Sequence, residues 1–345
     1  VQGDAVMATI WTPPNQFAAF LGERIGFKSG LALSREEIIE HLTPSNPIAS
    51  VISSLSDEPV RLRSNEILDA FQILLHRLGC LGTPFVGHGP TLLDIKYQAD
   101  PVKHDLFEQV LALLGSLHFD KGHRSLEGFD KRQFFEIVRA SLPFGALELA
   151  VELVDLIELS ERASPWAWQP ARQVDWREPL DLQALFASES LSGMHGSFID
   201  QRFIDYLSAN FEKIGEIHWR KFEALTAEFF ARNGYRVDIG PGRNDGGIDV
   251  RVWASGTLAT DPPAILIQCK RQKAKIDKVI VKALWADVVN EGATSGLIVT
   301  SSSLSPGADT VRRARSYPID VADRSTVRGW IEQLKSPGRG IFFGW

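Results

Sequence analysis

The sequence predicts an α/β carboxy-terminal domain, a small mixed sheet flanked by helices, preceded by a mainly α-helical amino-terminal domain. Three observations predict it. Apolar residues recur at intervals of three and four through the first half, where strand-like alternation is scarce. From residue 219 onward, helix-like stretches alternate with short β-like runs. Between the two patterns, residues 163–179 hold no sustained period. A length of 345 residues suits two domains, each large enough for its own core. The expected boundaries are 1–162 for the helical domain, 163–196 for a linker and 197–345 for the α/β domain. Val1 to Val6 precede Met7 and read as an extension outside the fold.

Taken in order, Ser34 with Glu37 forms a capping-box pattern that opens a short helix through Leu42. Amphipathic helices are predicted over 66–78, 106–117, 129–142 and 146–159. Gly and Pro punctuation over 81–90, including Gly87-His88-Gly89-Pro90, predicts a loop between helices. That Gly-x-Gly follows no strand and is weak as a phosphate cradle. In the linker, Trp166, Trp168 and Trp176 read either as packing onto a neighbouring domain, the commoner outcome, or as a partner or base-stacking surface. An amphipathic helix over 198–211 leads into the second domain. There, a helix over 219–233 carries Phe222, Leu225, Phe229 and Phe230 on one stripe and ends at Gly234. Strands over 235–239, 248–253 and 264–269 follow, then a helix over 276–290 and a buried strand over 296–300. A helix over 308–316, a strand over 319–322 and a helix over 325–334 complete the order.

Composition narrows the function classes. Hydrophobic content of 44% and charged content of 23% rule out a disordered chain. The two cysteines, Cys80 and Cys269, have no ligand-like spacing with histidine, which argues against a disulfide scaffold or structural zinc. His118 and His123 likewise show no ligand spacing. No basic-then-apolar leader opens the sequence and no apolar run approaches the roughly 20 residues of a bilayer span, so a cytoplasmic protein is expected. The net charge of −6 hides an asymmetry: residues 1–209 carry 17 basic and 28 acidic groups, whereas residues 210–345 carry 20 and 15. Basic excess therefore lies where the chemical motifs are.

The run Gly240-Pro-Gly-Arg-Asn-Asp-Gly-Gly-Ile-Asp-Val250 is a glycine-rich turn feeding a strand, with Asp249 at its mouth. Further on, the apolar run Ala264-Ile-Leu-Ile267 ends in Gln268-Cys269-Lys270. Alternate side chains of a strand share a face, so Gln268 and Lys270 point one way and Cys269 the other. If the two strands pair, a carboxylate, an amide oxygen and an ammonium meet at one sheet edge. Such oxygen acceptors suit a hard cation like Mg²⁺, while a lysine can orient water or offset charge on a phosphate. A solvated strand end is the plain alternative, and the polar set on one face together with Asp249 weighs against it. Asp245 reads equally as a second acidic helper or as a turn residue.

In this order, Glu223 within Trp219-Arg-Lys-Phe-Glu-Ala-Leu225, Gly234-Tyr-Arg-Val237, Asp245-Gly-Gly-Ile-Asp249, Gln268-Cys-Lys270 and Gly296-Leu-Ile-Val-Thr300 resemble the Mrr-type restriction endonucleases of the PD-(D/E)XK nuclease superfamily. The resemblance covers about residues 219–334. It implies that Asp249 and Gln268 hold a metal ion, that Lys270 is the catalytic lysine and that Glu223 is an accessory acid. It also implies that the backbone carbonyl of Cys269 completes the metal shell. Gln268 departs from the superfamily, where an acid is commoner, although glutamine is usual in this branch; a neutral ligand should weaken metal affinity. The expected function is Mg²⁺-dependent hydrolysis of DNA phosphodiesters, with Mn²⁺ as a substitute ion, in restriction or antiphage defence. A non-cleaving DNA-binding or sensor module on a nuclease fold, and cleavage of RNA, are the alternative readings. The intact Asp249, Gln268 and Lys270 set weighs against the first; DNA and RNA present the same phosphate.

Beyond the lysine, Arg271, Lys273, Lys275 and Lys278 are expected to contact nucleic-acid phosphates, which gives salt-sensitive binding without base preference. For Lys278 and Lys282 a solvated helix face is an equal reading. DNA is the expected partner, with other defence-system subunits docking through the helical domain. Double-strand cutting needs two sites, which points to a homodimer or higher.

Overall fold

The structure is a computed structural model that describes residues 9–54, 56–84, 89–119, 125–172, 178–191, 196–242, 247–257 and 260–335. Val1–Ser29, Ser34–His76 and Leu81–Arg172 form one compact unit; Gly30–Leu33, Arg77–Cys80 and Gln173–Trp345 form the second. His88, His123, Trp176 and Asp245 lie outside the described residues.

In chain order the first half contains β1 (Thr9–Thr12), α1 (Pro14–Ser29), β2 (Leu31–Ala32), α2 (Arg35–His41), α3 (Pro47–Ser53), β3 (Val60–Arg63) and α4 (Ser64–Arg77). Then come α5 (Gly89–Tyr97), α6 (Pro101–Leu117), α7 (Lys131–Ser141) and α8 (Ala146–Arg162). β1 and β3 pair antiparallel, and the other regular elements among the described residues of the first unit are helices. The Ser34 capping box forms as expected, with Ser34 Oγ accepting from Glu37 N and the Glu37 carboxylate accepting from Ser34 N. The loop expected over 81–90 is overrun at its end, because Pro90 sits in the first turn of α5, where its missing N–H leaves no bond unmade. Phe107, Val110, Phe134, Val138, Ala150 and Leu153 are sealed among α6, α7 and α8. Each such large side chain contributes about 1.5–3 kcal/mol by leaving water.

Two buried cations shape this unit. Arg24 donates to the carbonyls of Pro165 (2.7 Å) and Ala167 (2.9 Å) and stacks on Trp168, with 4.5 Å from guanidinium carbon to ring centroid. The fully buried Lys28 donates to the carbonyls of Glu161 and Gln169. Together they fix the irregular segment that carries the exposed Trp166 and Trp168.

The second unit continues with β4 (Leu180–Asp181), α9 (Ala184–Ala187), α10 (Gln201–Ala209), a 3₁₀ turn at Phe211–Gly215 and α11 (Trp219–Arg232). It then runs through β5 (Arg236–Ile239), β6 (Val250–Trp253), β7 (Ile265–Lys270), α12 (Lys278–Glu291), β8 (Ser295–Thr300), α13 (Pro306–Ala314), β9 (Ile319–Ala322) and α14 (Arg324–Leu334). The sheet order is β5-β6-β7-β8-β9, antiparallel through the first three strands and parallel from β7 to β9. Helices α12 and α13 make the crossovers that parallel neighbours require. Leu266, Ile298 and Ile319 pack with Leu284 and Val288 of α12 in one core. Helix α11 packs on β5, β6 and β7, and α14 on β8, β9 and α10. A second, two-stranded sheet pairs β2 with β4 in parallel. The carboxyl ends of β7, β8 and β9 thus open on one edge, the usual place for a site in an α/β sheet.

Candidate active site at the end of the central strand

The site is built around the end of β7. Val250 of β6 lies opposite Ile267, which brings the start of β6 to the end of β7. Asp249 is held there from both sides: its N–H donates to the Ile267 carbonyl at 3.0 Å, and its Oδ2 accepts from the Cys269 N–H at 2.6 Å. Its own carbonyl accepts from Gly240 N at 2.9 Å, closing the glycine-rich turn. The aspartate is therefore anchored at the sheet edge by backbone as well as side chain.

Glu223 reaches the same place from the first turns of α11. Its carboxylate accepts from Arg220 Nη1 at 2.8 Å and hydrogen-bonds the Asp249 carboxyl. Burial pushes the Glu223 carboxyl up to about 7; the Asp249 charge adds to that rise and Arg220 opposes it. On β7, Gln268 and Lys270 take one face by alternation, and Cys269 takes the other, where its sulfur lies 3.6 Å from Thr226 Oγ1 of α11. Burial, and then the Asp249 charge, push the Cys269 thiol well above its ordinary range, so this sulfur is a protonated packing group.

Gln268 is 8% exposed, and its Oε1 is buried with no hydrogen-bond partner among the described residues. Its Nε2 lies 3.1 Å from the point a Cβ on Gly247 would occupy, against the turn that delivers Asp249. Gly247 has φ +93°, a conformation that also favours glycine. An unsatisfied buried amide oxygen costs about 1–3 kcal/mol unless a donor or a cation engages it. An amide oxygen and two carboxyls are the oxygen donors that a hard divalent cation takes, so the residue types present fit one.

Glu223, Asp249 and the Cys269 N–H are thus joined by hydrogen bonds, with Gln268 and Lys270 on the strand they cap. The basic residues further on are spread. Arg271 donates to the Gly215 carbonyl at 3.0 Å and its Nε is buried, whereas Lys273, Lys275, Lys278 and Lys282 are exposed. Arg220 was not singled out from the sequence; its only signal was a position three residues before an acid on a helix, a spacing common on solvated faces.

In the first unit, Asp94, His104 and Glu108 bring three ligand-type atoms within 4.8 Å of one another, half-buried to exposed. His104 Nε2 there lies 2.7 Å from Asp94 Oδ1, and that hydrogen bond holds the Asp94 carboxyl below its ordinary range. Among the described residues, no helix is long and apolar enough to cross a membrane.

Residues 214–331 match the family model Mrr_cat, described as a restriction endonuclease. No curated protein matches the chain. Among solved structures, the MspJI restriction endonuclease in complex with a 27-mer oligonucleotide is similar at 19% identity, with a TM-score of 0.28 and an alignment over 60% of this chain. The alignment spans 47% of that protein, about half its length. The matched family stretch contains Glu223, Asp249, Gln268 and Lys270, so the candidate site lies wholly within the part of the chain that is similar to that family.

Proposed function

We propose that the protein is a divalent-metal-dependent endonuclease that hydrolyses DNA phosphodiester bonds at the cluster of Glu223, Asp249, Gln268 and Lys270. The observations that carry this reading are the buried, unpartnered oxygen of Gln268 on β7 and the hydrogen-bonded Glu223 and Asp249 carboxyls anchored at the end of that strand. Asp249 and Gln268 would hold the ion, with the Cys269 carbonyl as a further oxygen. Mg²⁺, or Mn²⁺ in its place, would supply Lewis-acid activation of the phosphate and of the attacking water.

The chain's own groups do the rest. Lys270 sets an ammonium where a phosphate oxygen gains negative charge as water adds to phosphorus and the bond to the leaving oxygen breaks. Glu223 accepts a proton at its carboxylate once Asp249 is engaged elsewhere, and Arg220 keeps that carboxylate oriented. The exposed Lys273, Lys275 and Lys278 would meet flanking phosphates, and Arg271 would act through the Gly215 segment it fixes. On the same reading the protein restricts foreign DNA in the cytoplasm, works as a homodimer or higher, and uses its helical region to dock other defence subunits.

Purified protein incubated with plasmid, linear, methylated and RNA substrates, with and without Mg²⁺, tests the reading. Cutting of DNA that requires the ion is the expected result. Lys270→Ala should lower cutting by at least about a hundredfold, the scale of one lost charge-stabilising donor, with an unchanged thermal melt. Full activity in that variant, or in excess chelator, would overturn the assignment.

A further inference from the structure

A second feature lies on the same sheet edge. A cavity of about 700 Å³ opens beyond the ends of β7, β8 and β9, lined among others by Phe211, Lys273, Ser302, Arg324, Ser325 and Arg328. It begins at Gln272, two residues past Lys270. Three residues of chain span at most about 11 Å, so Lys273 stands within one or two nucleotides of a phosphate held at Lys270.

Its charges are unevenly engaged. Asp323 caps α14, accepting from the N–H groups and hydroxyls of Ser325 and Thr326. Glu216 faces Lys213 at 3.4 Å, which leaves Glu212, exposed on the rim, as the remaining acid. Against these stand three cations. Arg324 and Arg328, one turn apart on α14, stack over the Phe211 ring at 4.9 and 4.5 Å to its centroid. Arg324 reaches the carbonyls of Phe211 and Ser301 only at 3.4 and 3.5 Å, long for good hydrogen bonds. Lys273 and Arg328 have no ion pair among the described residues. The ring fixes two planar guanidinium groups: Arg324 gives only these two long bonds to carbonyls, and Arg328 presents its fork of donors to a phosphate. The wall beside them is held rigid: Ser301 Oγ accepts from Gln272 N at 3.0 Å and Ser302 Oγ donates to the Lys273 carbonyl at 3.1 Å.

We propose that this cavity is a second phosphate site, which takes a backbone phosphate of the cut DNA strand one or two nucleotides from the scissile one. Lys273, Arg324 and Arg328 act there as positioning residues, setting the strand's register on Lys270. The proposal rests on the nuclease reading and deepens it.

The exposed Arg328 gives the test, in the full chain. Arg328→Ala should bind duplex DNA about tenfold more weakly in Ca²⁺ or without divalent ions, as for one lost charge-assisted hydrogen-bond pair. The slope of log affinity against log salt should fall by about one, and Arg328→Lys should restore most of both. KM should rise by a similar factor while kcat changes less than about threefold. With the cut position mapped, a neutral methylphosphonate at one flanking position should weaken the unmodified protein and leave Arg328→Ala indifferent. Unchanged affinity and slope in Arg328→Ala, or equal sensitivity of both proteins at every position, would sink the proposal. Because binding is read without cleavage, DNA held through this cavity but never cut would sink only the nuclease reading. Cutting with normal binding by Arg328→Ala would sink only the phosphate site.

Discussion

Single buried polar atoms carry most of the information in this molecule. Gln268 offers a neutral oxygen where a carboxylate would bring charge, so on the proposed reading the two acids would supply the attraction for a cation. Lys28 illustrates the opposite case, a charge kept inside the first unit by carbonyl acceptors alone. Burial drives its pKa from 10.5 down to about 7, with Arg24 lowering it further and Glu161 opposing. Between those two values the unfolded chain binds the extra proton and the folded chain does not, so stability rises with pH across that window. The contribution is complete above 10.5 and is lost as pH falls through about 7. Chemical denaturation from about pH 6.5 to about pH 9.5 should therefore show a pH slope that Lys28→Met lacks. Parallel curves for the two proteins would show that the amine keeps its proton throughout.

At the scale of elements, the site depends on a turn as much as on strands. Gly247→Ala adds a Cβ 3.1 Å from Gln268 Nε2 at a positive φ, and should cost about 1–2 kcal/mol of stability. It should also weaken the stabilisation that Mn²⁺ or Ca²⁺ gives in a thermal melt; an unaltered shift would separate the turn from the ion site. The five-stranded sheet and its helices were legible in the sequence because short apolar runs alternate there with helical periods, several of them bounded by Gly, Pro or a capping residue, as at Gly234, Gly292 and Asp323. Helix α1 was not, since Arg24 and Lys28 fall on its buried face and their acceptors lie more than a hundred residues away. Helix α5 hid behind Pro90, which reads as loop punctuation until its place in the first turn is known. Likewise, strand alternation exposed Gln268 and Lys270, and the glycine-rich turn exposed Asp249. Arg220, Arg324 and Arg328 looked like ordinary surface charge: Arg220 stands at a common helical spacing from Glu223, and the Phe211 ring under the other two comes from another element.

For the whole molecule, the second unit is assembled from three separate passages of chain. Gly30–Leu33 supplies β2, paired with β4, and the Gly30 carbonyl accepts from Arg202 Nη1 at 2.9 Å. Arg202 is fully buried, and its other partners are Asp200 and the Glu178 carbonyl. The Arg77 carbonyl accepts from Asn210 Nδ2 at 2.6 Å, and a Cβ on Gly79 would fall 2.2 Å from the Asp205 carbonyl oxygen. A fragment of residues 197–345 would lose these partners and leave a buried guanidinium donor unpaired, a loss of about 1–3 kcal/mol for that group alone. It should unfold at a lower denaturant concentration than the same unit within the full chain, and an identical midpoint would refute the dependence. Heredity feels the same constraint. A recombination event that carried off only the tail of the gene would transplant an unfinished domain, short of the two early passages that complete it.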